Sequence, residues 1–251
     1  MVREDNGVSE VTALYEIDKI LKRSMERFKH ACICHIPFCT SVGREKSIKY
    51  IPERCIVTYF AWGLIDADFA VFNEQIVKWK KKLTYPLRFD MLARRFSPEG
   101  SEVQIKLEAK GNLDSGYKEI LADIKRMEDY TVEIPEIKMS NPESNRADDR
   151  FPYRFNMVLT QNWGIRELSD WWRSEDDTHP KRRKSQRLRD GKEWGELKQK
   201  LLSAKKRGVI PILKSAPDYN PPYTIDILYA IFEDTSVEYK KEVLRKAQKD
   251  S

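Results

Sequence analysis

The sequence predicts an α+β fold, a mixed or antiparallel sheet with several packed helices and a basic loop-helix insertion near residues 178–207. Three observations lead there. Helical and strand-like apolar periodicities are interleaved, without the regular alternation of a parallel βαβ chain. The 251 residues are 40% hydrophobic and 11% aromatic, ample core material beside 34% charged side chains. Twelve Lys/Arg and three Asp/Glu fall between Lys181 and Arg207, a local charge of +9 in a chain of +6, which leaves −3 on the other 224 residues.

Taken in order, Val11, Leu14, Ile17, Leu21, Met25 and Phe28 recur at helical spacing behind Ser9, a suitable N-cap. The β-branched and aromatic run Cys55–Trp62 reads as a strand. Residues 66–82 read as a helix, with Phe69, Phe72, Ile76 and Trp79 on one face and four lysines near its end. A hairpin follows: Leu87, Phe89 and Met91 alternate before Ser97-Pro98-Glu99-Gly100, and Val103, Ile105 and Leu107 alternate after it. Residues 115–128 carry a helical stripe through Tyr117, Ile120, Leu121, Ile124 and Met127.

Thr131–Met139, with Pro135, suits an edge strand. Ser140–Arg150 has loop composition and separates an N-terminal α+β region, 1–140, from a C-terminal one, 141–251, although the length equally suits one domain. Tyr153–Thr160 reads as a strand and Gly164–Arg173 as a short helix bearing Trp171 and Trp172. The basic block divides in two. Lys181–Arg189 has almost no apolar residue, whereas Trp194, Leu197, Leu201 and Ala204 give Lys192–Arg207 a helical stripe with a cationic outer face. Val209–Leu213 and Thr224–Phe232 read as strands around a Pro-rich turn, and Val237–Gln248 as a final helix.

The block is the strongest functional signal. Lysine and arginine neutralise phosphates sequence-independently, and arginine's forked donors match phosphate oxygens. Lys181, Arg182, Arg183, Lys184, Arg187 and Arg189 are the candidate contacts, and Lys198, Lys205, Lys206 and Arg207 extend them along the helix. Trp171, Trp172 and Trp194 could stack exposed bases. This pattern predicts a non-enzymatic protein that binds RNA or DNA through the phosphate backbone, with a Mg²⁺-dependent nuclease only as the third reading. Lys181–Lys184 also has the composition of a nuclear-import signal, which suits import factors as partners. The alternative is a structural or scaffolding protein of a viral or nuclear assembly whose block docks an acidic partner.

Two further groups bear on chemistry. His30, Cys32, Cys34, His35, Cys39 and Cys55 gather six potential zinc ligands, but Cys32-x-Cys34 lacks the usual two-residue spacing. On a strand, such cysteines are buried thiols, and a Cys39–Cys55 disulfide is a third option. Asp90 lies on the first arm of the hairpin, and Glu108-Ala109-Lys110 ends the second. That spacing and strand placement resemble the PD-(D/E)xK nuclease pattern over about 25 residues. The resemblance implies Mg²⁺ held by the acids and a lysine that orients water or balances charge. A second acid-x-Lys triplet stands at Glu136–Lys138. The alternation places Glu108 and Lys110 on the hairpin's solvated face.

There is no Walker A loop, no GxGxxG and no GxSxG, and three histidines leave little scope for His-based acid–base chemistry. No stretch approaches the roughly 20 apolar residues of a membrane span, and the polar N-terminus lacks a leader's hydrophobic region, which together predict an intracellular protein.

Overall fold

The first helix begins where its cap residue predicts: Ser9 Oγ accepts the Thr12 N–H at 3.2 Å and opens α1 (Glu10–Ser41). The structure, a computed structural model, describes residues 9–41, 52–77, 87–95, 103–129, 153–163, 166–175, 191–214 and 224–235. After α1 come α2 (Glu53–Ile65), β1 (Ala70–Val77), β2 (Leu87–Arg95), β3 (Val103–Lys110), α3 (Leu113–Asp129) and β4 (Tyr153–Trp163). The order ends with α4 (Arg166–Arg173), α5 (Gly191–Leu202), β5 (Lys206–Lys214) and β6 (Thr224–Glu233). The expected edge strand Thr131–Met139, the loop Ser140–Arg150 and the final helix Val237–Gln248 lie outside the described residues.

The six strands form one mixed sheet in the order β1-β2-β3-β4-β6-β5, which crosses the 140/141 boundary. Only β3 and β4 pair in parallel, and a parallel pair requires a crossover connection; α3 lies within it. Each face buries its own core. On one face α1 and α2 set Ile17, Leu21, Met25, Ile56, Phe60 and Leu64 against Ile105, Leu107, Met157 and Ile231. On the other, α3, α4 and α5 set Ile120, Ile124, Trp172, Trp194 and Leu197 against Val158, Leu228 and Ala230.

Two elements exchange type relative to the sequence reading. The expected strand at Cys55–Trp62 is helix α2. Its buried residues, Ile56, Val57, Phe60, Ala61 and Leu64, do repeat at helical spacing. Apolar Trp62 and Ile65 on its exposed side obscure that stripe. The expected helix over 66–82 contains strand β1. Asp68, at φ 63°, supplies the left-handed residue that ends α2, with Asp68 N–H on Ile65 O and Phe69 N–H on Leu64 O, both 3.0 Å. Buried Phe69 then turns the chain into β1, the edge partner of β2.

Candidate functional site

The ladder between β2 and β3 runs from Arg95–Val103 to Met91–Leu107. Beyond it, β2 continues against β1 through Leu87, and β3 continues against β4 through Lys110–Thr160. The two strands therefore part at this end of the sheet, and Asp90, Glu108 and Lys110 stand where they do. The Asp90 carboxylate replaces the missing ladder partner by accepting the Ala109 N–H at 2.7 Å.

The hairpin face is not solvated as its alternation predicts. The crossover helix α3 returns across it, so Lys106 and Glu108 are buried on that side as fully as Ile105 and Leu107 are on the other. α3 starts from Asn112, whose side-chain oxygen accepts the Asp114 N–H at 3.1 Å, directly after β3. It places two further charges in the cluster. Arg126 pairs through Nη2 with Glu108 Oε1, and the same nitrogen lies 2.8 Å from Asp123 Oδ1. Lys110 Nζ lies 3.0 Å from Asp123 Oδ2.

The electrostatics follow from burial and crowding. Burial, then the neighbouring Asp123 and Asp90 carboxylates, push Glu108 up to about 8 against the pull of Arg126 and Lys110. Burial also lifts Asp123 above the usual carboxylate range, opposed by Lys110 and Arg126. For Lys110, burial pulls downward, but Asp123, Glu108 and Asp90 outweigh it and hold the ammonium above its ordinary value. Among the described residues no three His, Cys, Asp or Glu side chains stand ready to hold a metal ion. Two of the acids here are occupied by Arg126 and Lys110 instead.

The sequence reading missed Asp123 and Arg126. A signal existed: Asp123 interrupts the apolar stripe of α3 between Ile120 and Met127, and a charge on a buried face needs a partner.

The basic block resolves differently from expectation. Lys181, Arg182, Arg183, Lys184, Arg187 and Arg189 lie outside the described residues, between α4 and α5. Lys198 is not on an outer face. It is 1% exposed, and its ammonium donates to Trp171 O at 2.6 Å, Ser174 O at 2.7 Å and Ser174 Oγ at 3.0 Å. Arg207 joins it by donating to Ser174 O at 2.9 Å and pairing with Glu175. Both cations thus satisfy carbonyls left open at the end of α4. The expected helix to Arg207 stops at Leu202, so the next cations do not extend along it: Lys205 pairs with Glu233 at 2.8 Å and Glu10 at 3.1 Å, and Lys206, which opens β5 with Arg207, lies 3.8 Å from Asp18. The tryptophans are core residues rather than base-stacking platforms: Trp171, Trp172 and Trp194 are all buried, and Trp194 stacks on Tyr117 at 4.3 Å.

The cysteine reading also changes, because residues 33–38 are helical rather than extended. Cys32 and Cys55 are free thiols, which removes the Cys39–Cys55 disulfide; the side chains of Cys34 and Cys39 lie outside those described. Burial, with Cys55 nearby, pushes Cys32 up to about 12 and leaves it a small apolar core residue. Among the described residues no helix is long and apolar enough to cross a membrane. Comparison with protein-family models, with curated proteins and with solved structures finds no match to this chain.

Proposed function

We propose that this chain is a divalent-cation-dependent nuclease that holds nucleic acid by its phosphates and hydrolyses a phosphodiester at the parted end of β2 and β3. The observation that carries the reading is the convergence of Asp90, Glu108 and Lys110 at the end where the β2–β3 ladder stops at Met91–Leu107. The strand placement resembles the PD-(D/E)xK pattern, and the buried acids at its centre repel one another.

Two carboxylates, with phosphate and water oxygens completing the shell, would be the donors for a hard dication, in competition with the Arg126 pair on Glu108. Asp90 and Glu108 would hold it through carboxylate oxygens; burial, then the Asp123 and Asp90 charges, lifts Glu108 to about 8, so the ion would bind there by displacing a proton. When bound, Mg²⁺ or Mn²⁺ supplies Lewis-acid stabilisation of phosphoryl oxygens and acidifies a water. Lys110 stays protonated at neutral pH, so its role is to orient the attacking water and balance charge, not to abstract a proton. Asp123, 3.0 Å away, fixes that ammonium in place.

Lys181–Arg189 supports the binding half of the reading by composition. The segment rejoins the described fold at Gly191, and Glu193 lies 3.1 Å from Lys118 on α3, the helix that begins three residues after Lys110.

Incubation of the purified protein with DNA and RNA in Mg²⁺ or Mn²⁺ tests the proposal. Cleavage should disappear with chelator and in both Glu108→Ala and Lys110→Ala. Activity that survives Glu108→Ala belongs to something else and refutes the assignment. Replacing Lys181–Lys184 with alanine should weaken nucleic-acid binding and flatten its salt dependence by about four phosphate contacts' worth of slope.

A further inference from the structure

We propose that Cys32 and Cys55 are a thiol pair that a small-molecule disulfide oxidises to an internal Cys32–Cys55 disulfide, a redox-sensitive staple between α1 and α2. These helices lie on the face of the sheet opposite the Asp90–Glu108 cluster, so the inference stands apart from the nuclease reading.

The pairing follows from the register of α1 on α2. Ser24, Phe28 and Cys32 succeed one another at turn spacing along one side of α1, and Gly63, Tyr59 and Cys55 do so along α2 in the reverse direction. Ser24 packs on Gly63, where an added Cβ would stand 1.9 Å from Ser24 Oγ, and the Phe28 and Tyr59 rings meet at 5.2 Å. The helices are thus antiparallel, and the next rung sets Cys32 opposite Cys55. Cys32 belongs to the core cluster, Cys55 packs against it, and the two are close enough for Cys55 to act electrostatically on Cys32. Facing Cα atoms of two closely packed helices stand about 4–6 Å apart, the span that a disulfide bridges.

The two exposures set the order of the chemistry. Cys55 is partly exposed in the first turn of α2, whereas Cys32 is 5% exposed. Cys55, as thiolate, attacks one sulfur of a disulfide RS–SR, forms a Cys55–SR bond and releases RS⁻. Cys32 then loses its proton, attacks Cys55 Sγ and expels the second RS⁻. The protein gives up two electrons and two protons, and the reagent leaves as two RSH. The product carries no charge, so it suits an apolar site whose burial disfavours a Cys32 thiolate. Closing residues 32–55 into a loop also restricts the unfolded chain, so the oxidised protein should be the more stable one.

The test treats the full, folded chain with oxidised glutathione, then alkylates the remaining thiols in denaturant and maps the peptides by mass spectrometry. Cys32 and Cys55 should be recovered as one linked pair, with Cys34 and Cys39 alkylated. The thermal midpoint should rise by about 5–10 °C and return with dithiothreitol. Cys32→Ser should stop with glutathione on Cys55, and Cys55→Ser should leave Cys32 unmodified. The parent's peptide map needs no variant, so it decides the pairing even where a serine variant fails to fold. Four thiols left unoxidised, glutathione retained on the parent's Cys55, a link from Cys55 to Cys34 or Cys39, or a link between two chains overturns the proposal. A Cys32–Cys55 link that leaves the midpoint unmoved overturns the staple. None of these outcomes bears on the nuclease reading.

Discussion

Glu108→Gln should make the metal-free protein more stable at alkaline pH while abolishing cleavage. The side chain is 3% exposed, and burial with the Asp123 and Asp90 charges raises it from 4.5 to about 8. A carboxyl whose folded value exceeds its unfolded value contributes stability that is fully present below about pH 4.5. That contribution is lost as pH rises through about 8. At about 1.4 kcal/mol per pH unit, the span sets a ceiling of about 5 kcal/mol. Arg126, reachable by solvent, relaxes toward the ionised carboxylate, so about 2–3 kcal/mol is the working value. Glutamine keeps the shape and an acceptor for Arg126 but never ionises. Parent and variant should therefore unfold at similar urea concentrations near pH 5 in chelator. By about pH 9 the variant should be ahead by about 2–3 kcal/mol. Asp123, also raised, adds a downward trend of its own to both proteins. A difference that stays flat with pH, or a variant less stable at the alkaline end, would refute the account of crowded buried acids.

Three further perturbations follow from the packing. Lys106 and Asp234 form an ion pair at 2.9 Å with both side chains buried, so Lys106→Met or Asp234→Asn alone should cost about 3–5 kcal/mol in urea titration, and Lys106→Met with Asp234→Leu much less. Lys198→Met should lower stability by about 2–4 kcal/mol through the carbonyls it uncovers at the end of α4. Its nucleic-acid affinity, measured on the folded fraction, should match the parent's. Gly208→Ala would set a Cβ 2.5 Å from the Tyr229 ring, whose hydroxyl donates to Asp18. A loss of about 2–4 kcal/mol is expected, and a thermal midpoint equal to the parent's would show that the Gly208–Tyr229 contact yields freely.

The sequence by itself determined the fold class, α1 from its Ser9 cap, the hairpin arms β2 and β3, the amphipathic helices α3 and α5, and the strands β4, β5 and β6. Each declares itself locally, through a period of two or 3.6 residues or a capping side chain. Asp90, Glu108 and Lys110 were legible for the same reason, as an acid and an acid-x-Lys triplet on successive strands. Tertiary structure decided what no local pattern carries. α2 and β1 exchanged identities because a helix apolar on nearly every side matches a strand by composition, and because the sheet required an edge partner for β2. It also set the meaning of the charges. Lys198 and Arg207 read as free cations along the chain, yet they cap α4, since the carbonyls they serve lie more than 20 residues away in sequence. Glu108 reads as a solvated residue on a hairpin face, yet it is a buried acid, because the parallel β3–β4 pair brings α3, with Asp123 and Arg126, back across that face.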